Sequence, residues 1–382
     1  LLNCLHKKRY MRSIKFHFSL IAFLYGCWSC QSPTTVENSP DSSEWTMTAF
    51  TKADAVNPIL MPTRESTFYC PIRQEEVHWE VKDVFNPAVV VRDGKIHMLY
   101  RAEDSVGRYN GTSRIGLAIS EDGLHFAKQP EPVFFPDEDF MKIYEWEGGI
   151  EDPRVVETDD GRYIMTYTAY DGQTARLCVA SSPDLQNWEK HGLAFGDAED
   201  GRYTDLWSKS GAIVCRKEGE KLIAQKIGDK YWMYWGDKHL HIATSEDLLD
   251  WEPLTQGDSL MQVMSFRAGY FDSDLVEPGP PAIITDDGIL LIYNGRNYGP
   301  EMNPDIEEGT YSAGQVLLSP EDPTEVLART EQDFFRPEKD YEIFGQVNKV
   351  VFLQGLVPYS AQWYLYYGTA DSKIAVATSP MD

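Results

Sequence analysis

The chain has 382 residues, a formal net charge of −25 at pH 7 and a hydrophobic fraction of 42%. A hydrophobic fraction of this size fills a core, which excludes global disorder. The negative charge repels phosphate backbones, so nucleic acid is not expected as a partner. The 10 Trp and 21 Tyr residues give more flat, polar-edged aromatic surface than a core requires, and sugar rings stack on such surfaces.

Residues 1–30 have the pattern of an export signal. A basic segment at residues 11–15 precedes an apolar run at residues 16–25, which is too short to span a bilayer. The run ends in Leu-Tyr-Gly-Cys, which resembles a lipobox. We therefore predict that a lipid anchor on Cys27, or on Cys30, attaches the protein to the membrane. The predicted location is the cell envelope, either the periplasm or the cell surface. A plain signal peptide is the alternative.

The sequence also indicates where the leader starts and where the folded domain begins. Residues 1–10 precede a Met and resemble sequence upstream of the true start. Residues 31–43 are polar and rich in Ser and Pro, which is typical of a flexible tether. Residues 44–382 are predicted to form one catalytic domain.

The remaining cysteines and histidines do not suggest a cofactor. Cys70, Cys178 and Cys215 fit neither a disulfide framework nor a metal knuckle, so we predict buried free thiols. His239 and His241 alternate as on a strand, which suits a metal as well as a polar lining. The sequence has no Gly-rich phosphate loop and no Gly-x-Ser-x-Gly nucleophile motif. We expect neither a metal nor a cofactor.

A short motif recurs along the chain with regular spacing. In its first three copies a Ser is followed by Asp two residues later and by an aromatic residue six residues later, and two looser copies follow. Successive copies are 62, 63, 74 and 60 residues apart, which is a repeat architecture. The copies begin at Ser120, Ser182, Ser245, Ser319 and Ser379.

Two β-rich runs precede each copy, and no stretch of 10–15 residues shows helical periodicity. Repeats of about 60 residues with three or four strands each are blades, so we predict an all-β fold, a five-bladed β-propeller. The first runs are residues 85–91, 150–157, 208–215, 279–285 and 347–353. The second runs are residues 95–101, 162–168, 230–236, 288–294 and 362–368.

In a propeller the first strands line a central channel, so polar residues where they start converge on one funnel. A funnel rich in carboxylates suits a polyhydroxylated ligand and acid/base chemistry. The first strands contribute Asn86, Asp152, Lys209, Glu277 and Asn348. The ends of the second strands add Arg101, Glu103, Asp104, Tyr170, Asp171, Asp237, Asn294, Arg296 and Asp371.

The string Gly-Gly-Ile-Glu-Asp-Pro-Arg at residues 148–154 is the most informative. Pro153 holds the chain rigid beside Asp152, and Arg154 lies on the same strand face, where it can orient an anion. For an isolated Asp-Pro, a solvated turn is the more common explanation. The same polar-then-Pro design recurs at Asn86 and Glu277, which favours a shared funnel, although a Pro that merely starts each inner strand stays the alternative.

These strings together resemble glycoside hydrolase family 130 from about residue 55 to the end. The matching strings are Asn86-Pro87-Ala88, Tyr100-Arg101-Ala102, Gly149-Ile150-Glu151-Asp152-Pro153-Arg154, Thr166-Tyr167-Thr168-Ala169-Tyr170, Ser208-Lys209 and Gly279-Pro280-Pro281. The resemblance implies a five-bladed propeller that acts on β-mannosides with inversion, in most members as a phosphorylase. It makes Asp152 the general acid, acting through a mannose hydroxyl, and Asn86, Arg101 and Asp104 the mannosyl-binding residues.

The chain departs from the phosphorylases where they bind phosphate. Basic residues of those enzymes are replaced by Asp171-Gly172 and by Trp235-Gly236-Asp237, a Gly is replaced by Glu277, and only Lys209 remains. Carboxylates at these positions oppose a phosphate dianion. They also supply the base that an inverting hydrolase needs to deprotonate water.

The sequence therefore predicts an inverting exo-β-mannosidase that hydrolyses β-1,2-linked manno-oligosaccharides. Asp152 is the predicted acid, and Glu277 with Asp237 the predicted base, one of the pair having a raised pKa. A phosphate-dependent β-mannoside phosphorylase and a non-catalytic surface glycan-binding lipoprotein are the alternatives. The predicted substrate-binding residues are Asn86, Arg101, Asp104, Arg154, Tyr170, Asp171, Lys209, His239, Asn348 and Asp371.

Overall fold

A computed structural model describes residues 45–47 and 50–381, and the regular secondary structure of these residues is almost entirely β-strand. The leader at residues 1–30 and the tether at residues 31–43 lie outside the described residues. The predicted all-β class is confirmed. No helix in the described part of the chain has the length and apolar character needed to cross a membrane.

Most strands belong to five consecutive antiparallel groups, preceded by three short strands: β1 (Thr51–Lys52), β2 (Phe68–Cys70) and β3 (Glu75–Val77). The first group contains β4 (Asp83–Arg92), β5 (Lys95–Glu103), β6 (Ser113–Ser120) and β7 (Ala127–Lys128). The second contains β8 (Gly149–Glu157), β9 (Tyr163–Tyr170), β10 (Ala175–Ser182) and β11 (Glu189–Leu193). A short helix α1 (Lys142–Glu145) lies between these groups.

The third group is the most elaborate. It contains β12 (Ala212–Glu218), β13 (Lys221–Ala224), β14 (Tyr231–Trp235), β15 (His239–Ser245), β16 (Glu252–Pro253) and β19 (Gln262–Ser265), with a separate hairpin of β17 (Thr255–Gln256) and β18 (Ser259–Leu260). The fourth contains β20 (Leu275–Pro278), β21 (Ala282–Ile284), β22 (Ile289–Asn297), β23 (Thr310–Leu318) and β24 (Val326–Arg329). After helix α2 (Asp340–Ile343), the fifth contains β25 (Val351–Tyr359), β26 (Gln362–Thr369) and β27 (Lys373–Pro380).

Strand β1 completes the fifth group, since Thr51 and Lys52 pair antiparallel with β27. Neighbouring groups are joined by parallel pairing, for example between Val214 of β12 and Ala282 of β21. The groups therefore follow one another in space as they do along the chain, and the first strands of different groups lie side by side.

The recurring Ser motif builds the same turn in successive groups. The hydroxyl of Ser120 contacts Oδ1 of Asp122 at 3.0 Å and accepts a hydrogen bond from the amide of Gly123 at 2.9 Å. Ser182 and Ser245 form the corresponding contacts in the second and third groups. The repeat therefore specifies the turn that follows the third long strand of a group, a local hydrogen-bonding role.

Two of the predicted inner strands start later than expected. Residues 347–353 were predicted as a strand, but β25 begins at Val351, because the backbone from Asp340 to Val350 turns back on α2 through Phe344 N–Asp340 O and Val350 N–Glu342 O hydrogen bonds. Residues 208–215 were predicted likewise, and β12 begins at Ala212. The three remaining cysteines are buried free thiols, as predicted.

Candidate active site

Bulges in the inner strands turn polar side chains toward one cavity. Asn86 (φ 49°) and Asp152 (φ 51°) both have left-handed backbone conformations, each followed by Pro, and the register of β4 and β8 shifts at these residues. Such backbone is costly for a residue with a side chain and is tolerated where it serves a site. Ser210 (φ 59°) adopts the same conformation just before β12.

The cavity between these bulges has a volume of about 150 Å³ and is lined mostly by polar groups. Its polar lining consists of Asn86, Arg101, Asp152, Lys209, Glu277, Tyr311 and Asp371. Six of these residues were predicted from the sequence, and the structure brings them together.

Asp152 lies at the centre of this lining and is only 3% exposed. Its Oδ1 accepts hydrogen bonds from Asn86 Nδ2 at 2.8 Å and Arg101 Nη1 at 3.1 Å, and its Oδ2 lies 3.3 Å from Lys209 Nζ. Burial by itself would raise the pKa of Asp152, but Lys209, Arg101 and Asn86 together outweigh burial and hold that pKa well below its usual range. Asp152 is therefore ionised in the unliganded site.

Both cations of the cavity are already paired with carboxylates. Arg101 donates to Glu103 at 2.7 Å and to Glu151 at 2.9 Å in addition to Asp152. Lys209 lies 3.9 Å from Glu151 as well as 3.3 Å from Asp152. Burial lowers the pKa of Lys209, but the surrounding carboxylates reverse that effect and raise it, so the ammonium stays charged.

Glu277 is 5% exposed and lies in the same cavity, where Ser210 donates a hydrogen bond to its Oε1. Burial raises the pKa of Glu277 to about 7, with Asp237 adding to the rise and Lys209 and Arg154 opposing it. The prediction that one member of the Glu277–Asp237 pair has a raised pKa is thus confirmed for Glu277. Asp237 itself is half-buried and accepts a hydrogen bond from Trp207 Nε1 at 2.7 Å.

Asp371 provides a second carboxyl group of high pKa in the cavity. Burial raises the pKa of Asp371 to about 7, with Arg101 opposing and Asp152 and Glu103 adding to the rise. Near neutral pH, Glu277 and Asp371 therefore exchange protons readily, whereas Asp152 does not.

Two predicted substrate-binding residues use their polar atoms in hydrogen bonds within the protein. Asp104 is fully buried, and its carboxylate accepts hydrogen bonds from the amides of Val106 and Thr112 and from the guanidinium of Arg114. Arg154 is 2% exposed and donates to the carbonyls of Pro278 at 2.6 Å and Gly279 at 2.7 Å. Arg154 thus fixes the strand that carries Glu277, while Asp104 shapes a loop.

Three other predicted residues, Tyr170, Asp171 and Asn348, are not part of the cavity lining. Tyr170 is half-buried at the end of β9. Asp171 caps a turn through the amides of Gln173 and Thr174 and pairs with Arg176. Asn348 is exposed and accepts a hydrogen bond from the amide of Gly345.

The two histidines do not share a ligand. His239 Nδ1 contacts Ser265 Oγ at 2.9 Å, and His241 Nδ1 contacts the Met261 carbonyl at 2.9 Å. Within the residues that the structure describes, no group of three or more His, Cys, Asp or Glu side chains is arranged to hold a metal ion.

The sequence interpretation missed three residues that organise the cavity. Gln354 is fully buried in β25 and donates to the carbonyls of Asn86 at 3.1 Å and Pro153 at 2.6 Å, which links the two bulges. Ser210 donates a hydrogen bond to Glu277, and Glu151 pairs with both cations, Arg101 and Lys209. Glu151 and Ser210 adjoin Asp152 and Lys209 in sequence, a signal that was available, whereas nothing near Gln354 marks it.

Comparison with known proteins identifies the family of the chain. Residues 55–382 match the model of glycoside hydrolase family 130, described as β-1,4-mannooligosaccharide phosphorylase. The chain belongs to glycoside hydrolase family 130. The resemblance inferred from the sequence is confirmed, and membership in family 130 makes the chain a glycoside-processing enzyme.

Its relatives in family 130 include both phosphorylases and hydrolases. The β-1,2-mannobiose phosphorylase of Thermoanaerobacter sp. (strain X514) is 32% identical over 319 residues, 80% of this chain and 92% of that protein. The structure of a glycosyl hydrolase from Bacteroides ovatus is 45% identical, with a TM-score of 0.86 over 88% of this chain and 94% of that one. A second structure is described by the statement that the GH130 family of mannoside phosphorylases contains glycoside hydrolases that target β-1,2 mannosidic linkages in Candida mannan. It is 45% identical, with a TM-score of 0.86 over 89% of this chain and 97% of that chain.

Proposed function

We propose that this protein is an inverting exo-β-mannosidase that hydrolyses β-1,2-linked manno-oligosaccharides. The observation that carries the proposal is the charge of the cavity. Arg101 and Lys209 are both paired with carboxylates, and the additional carboxylate Glu277 lies in the same lining. A phosphate dianion would have to compete with these carboxylates for its cations, whereas a water molecule would not.

In the proposed reaction, water attacks the anomeric carbon while the bond to the leaving oxygen breaks. Glu277 takes the proton of the water, and its pKa of about 7 matches a general base at neutral pH. Asp152 supplies the proton that the leaving oxygen gains, through a hydroxyl of the bound mannose. Sugar oxygens that take the hydrogen bonds of Arg101 and Lys209, together with loss of water, would raise the pKa of Asp152 in the complex.

The proposal also includes the fold and the cellular location of the enzyme. We propose that the five antiparallel groups are the blades of a five-bladed propeller, with the bulged strands lining its centre. We also propose that the protein is exported and lipid-anchored through Cys27 or Cys30. An exported site agrees with hydrolysis, since a sugar phosphate made outside the inner membrane would be lost to the cell.

Phosphorolysis is the second candidate, and it is supported by the name of the Thermoanaerobacter relative. Incubation of the protein with β-1,2-mannobiose, with and without phosphate, separates the two candidates. Free mannose released at the same rate in both buffers would support hydrolysis, and proton NMR should show the α-anomer first, as inversion requires. Mannose 1-phosphate as the product would overturn the proposal. A protein that binds mannobiose and forms no product would be the non-catalytic glycan-binding lipoprotein.

A further inference from the structure

A loop between β5 and β6, residues 104–112, is held firmly at both ends. Asp104 Oδ1 accepts hydrogen bonds from the amides of Val106 at 3.1 Å and Thr112 at 2.9 Å. Asp104 Oδ2 accepts one from Arg114 Nη1 at 2.7 Å. A fully buried carboxylate with all these partners fixes the two ends of the loop relative to each other.

The tip of this loop packs an aromatic ring against Tyr170 at the end of β9. The rings of Tyr109 and Tyr170 lie 6.3 Å apart at an angle of 48°. Each ring packs on a glycine: a Cβ atom on Gly172 would lie 2.1 Å from Cζ of Tyr109, and one on Gly148 would lie 2.3 Å from Cδ1 of Tyr170. The backbone has therefore made room for both rings, and both remain partly exposed.

The pair lies on the Asp152 side of the cavity. Tyr170 is the register partner of Gly149 in β8, the strand that carries Glu151 and Asp152. In an inverting reaction the acid and the leaving group share one side of the bond, and the base and the water share the other. The two rings are thus on the side where the leaving sugar departs.

We propose that Tyr109 and Tyr170 form an aromatic wall that receives the leaving-group sugar of a β-mannoside, with Tyr109 presented by the loop that Asp104 anchors. The inference rests on the proposed function, since it places a β-mannoside in the cavity with its scissile oxygen near Asp152. The apolar face of a pyranose ring stacks on such rings, and exposed Arg108, 5.4 Å above the Tyr109 ring, adds donors for its hydroxyls.

The test compares a substrate whose leaving group is a sugar with one whose leaving group is not. Tyr109→Ala should lower the ratio of kcat/KM for β-1,2-mannobiose to kcat/KM for β-mannosyl fluoride by about tenfold or more, mainly through KM for mannobiose. Tyr109→Phe keeps the ring and should stay within about threefold of the wild-type ratio. Tyr69→Ala removes an exposed tyrosine of β2 and is the matched control, with an unchanged ratio.

An unchanged ratio in Tyr109→Ala would overturn the inference, as would an equal loss with both substrates. A Tyr109→Phe variant as impaired as Tyr109→Ala would also overturn it, because the hydroxyl group and not the ring would then make the contact. If the wild-type protein turned over neither substrate, the proposed function would fail separately. Calorimetric binding of β-1,2-mannobiose would then test the wall alone, with about tenfold weaker binding by Tyr109→Ala supporting it and equal binding overturning it.

Discussion

The side-chain amide of Asn86 donates a hydrogen bond of 2.8 Å to Oδ1 of Asp152, a residue 66 positions later in the chain. Both residues lie at bulges with left-handed backbone, and Gln354 links the carbonyl of Asn86 to that of Pro153. Three strand groups thus fix one carboxylate. This preorganisation is what acid/base chemistry requires of a side chain that must keep its geometry during the reaction.

Replacing Asp152 by Asn should abolish most activity without unfolding the protein. The amide is nearly the same size and keeps polar contacts in the cavity, but it cannot donate the proton that the leaving oxygen needs. We expect kcat for β-1,2-mannobiose to fall by about 10²–10⁴-fold. Asp286→Asn, on an exposed turn, is the matched control and should retain full activity. Activity of Asp152→Asn within tenfold of the wild type would remove Asp152 from the mechanism.

The pH dependence of kcat, which reports the enzyme–substrate complex in which Asp152 is protonated, should show the ionisation of Glu277. As a base Glu277 acts when deprotonated, and its pKa is about 7, so kcat should rise with pH and level off above about pH 7. Asp371 has a similar pKa and could cause the same rise. The rise with pH should therefore persist in Asp371→Asn and be lost in Glu277→Gln. A profile that falls through pH 7 would instead make Glu277 the acid.

Glu277 should also make the fold less stable at alkaline pH. Its pKa rises from 4.5 to about 7 on folding, so the folded state binds the proton more tightly and loses stability as pH rises from about 4.5 through 7. Glu277→Gln avoids this cost and can still accept the hydrogen bond of Ser210. Urea unfolding should show the variant more stable by about 3 kcal/mol at pH 8 and nearly equal to the wild type at pH 4.5. A wild type that is the more stable at pH 8 would contradict the burial argument.

Strand β1 should contribute strongly to stability through Lys52. Its ammonium lies 2.8 Å from Oε2 of Glu342, a fully buried carboxylate that also accepts a hydrogen bond from Tyr367 at 2.9 Å. Lys52→Met leaves that charge without its cation, and we expect a loss of about 3 kcal/mol in urea unfolding. Lys95→Met breaks only an exposed pair with Glu121 and should leave the midpoint unchanged. The double variant Lys52→Met/Glu342→Gln should recover much of the loss, and a failure to recover any would mean that strand pairing, not charge, is responsible.

Removal of the Gln354 amide should affect both activity and stability. Gln354→Met fills a similar volume but leaves the carbonyls of Asn86 and Pro153 without their donor, which costs about 1–3 kcal/mol for buried acceptors. Because these carbonyls belong to the two bulges, kcat should fall while KM changes little. Gln354→Glu tests the same position with an acceptor and should be worse than Gln354→Met. Unchanged kcat in both variants would show that the bulges keep their geometry without Gln354.

The periodic features of this protein were predictable because they are local. The Ser motif specifies a turn by hydrogen bonds between residues two or three apart, and alternating aromatic runs specify strands, so the ends of the second strands were placed within three residues. Prediction failed where tertiary contacts decide the backbone. Asn348 was predicted to start an inner strand, but hydrogen bonds from the Val347 amide to the Ala370 carbonyl and from the Val350 amide to α2 hold that segment in a turn and leave Asn348 exposed.

The sequence by itself determined the all-β class, the family and the carboxylates of the site, since these follow from residue types at fixed spacing. Only the tertiary structure decided what each residue does. Asp104 anchors a loop because its carboxylate accepts hydrogen bonds from both ends of that loop and from Arg114. Arg154 holds the strand of Glu277 because its guanidinium donates to two carbonyls that lie in another strand group. It likewise decided that Asp152 is ionised and that Glu277 has a pKa of about 7, since those pKa values depend on burial and on charges that only folding brings together.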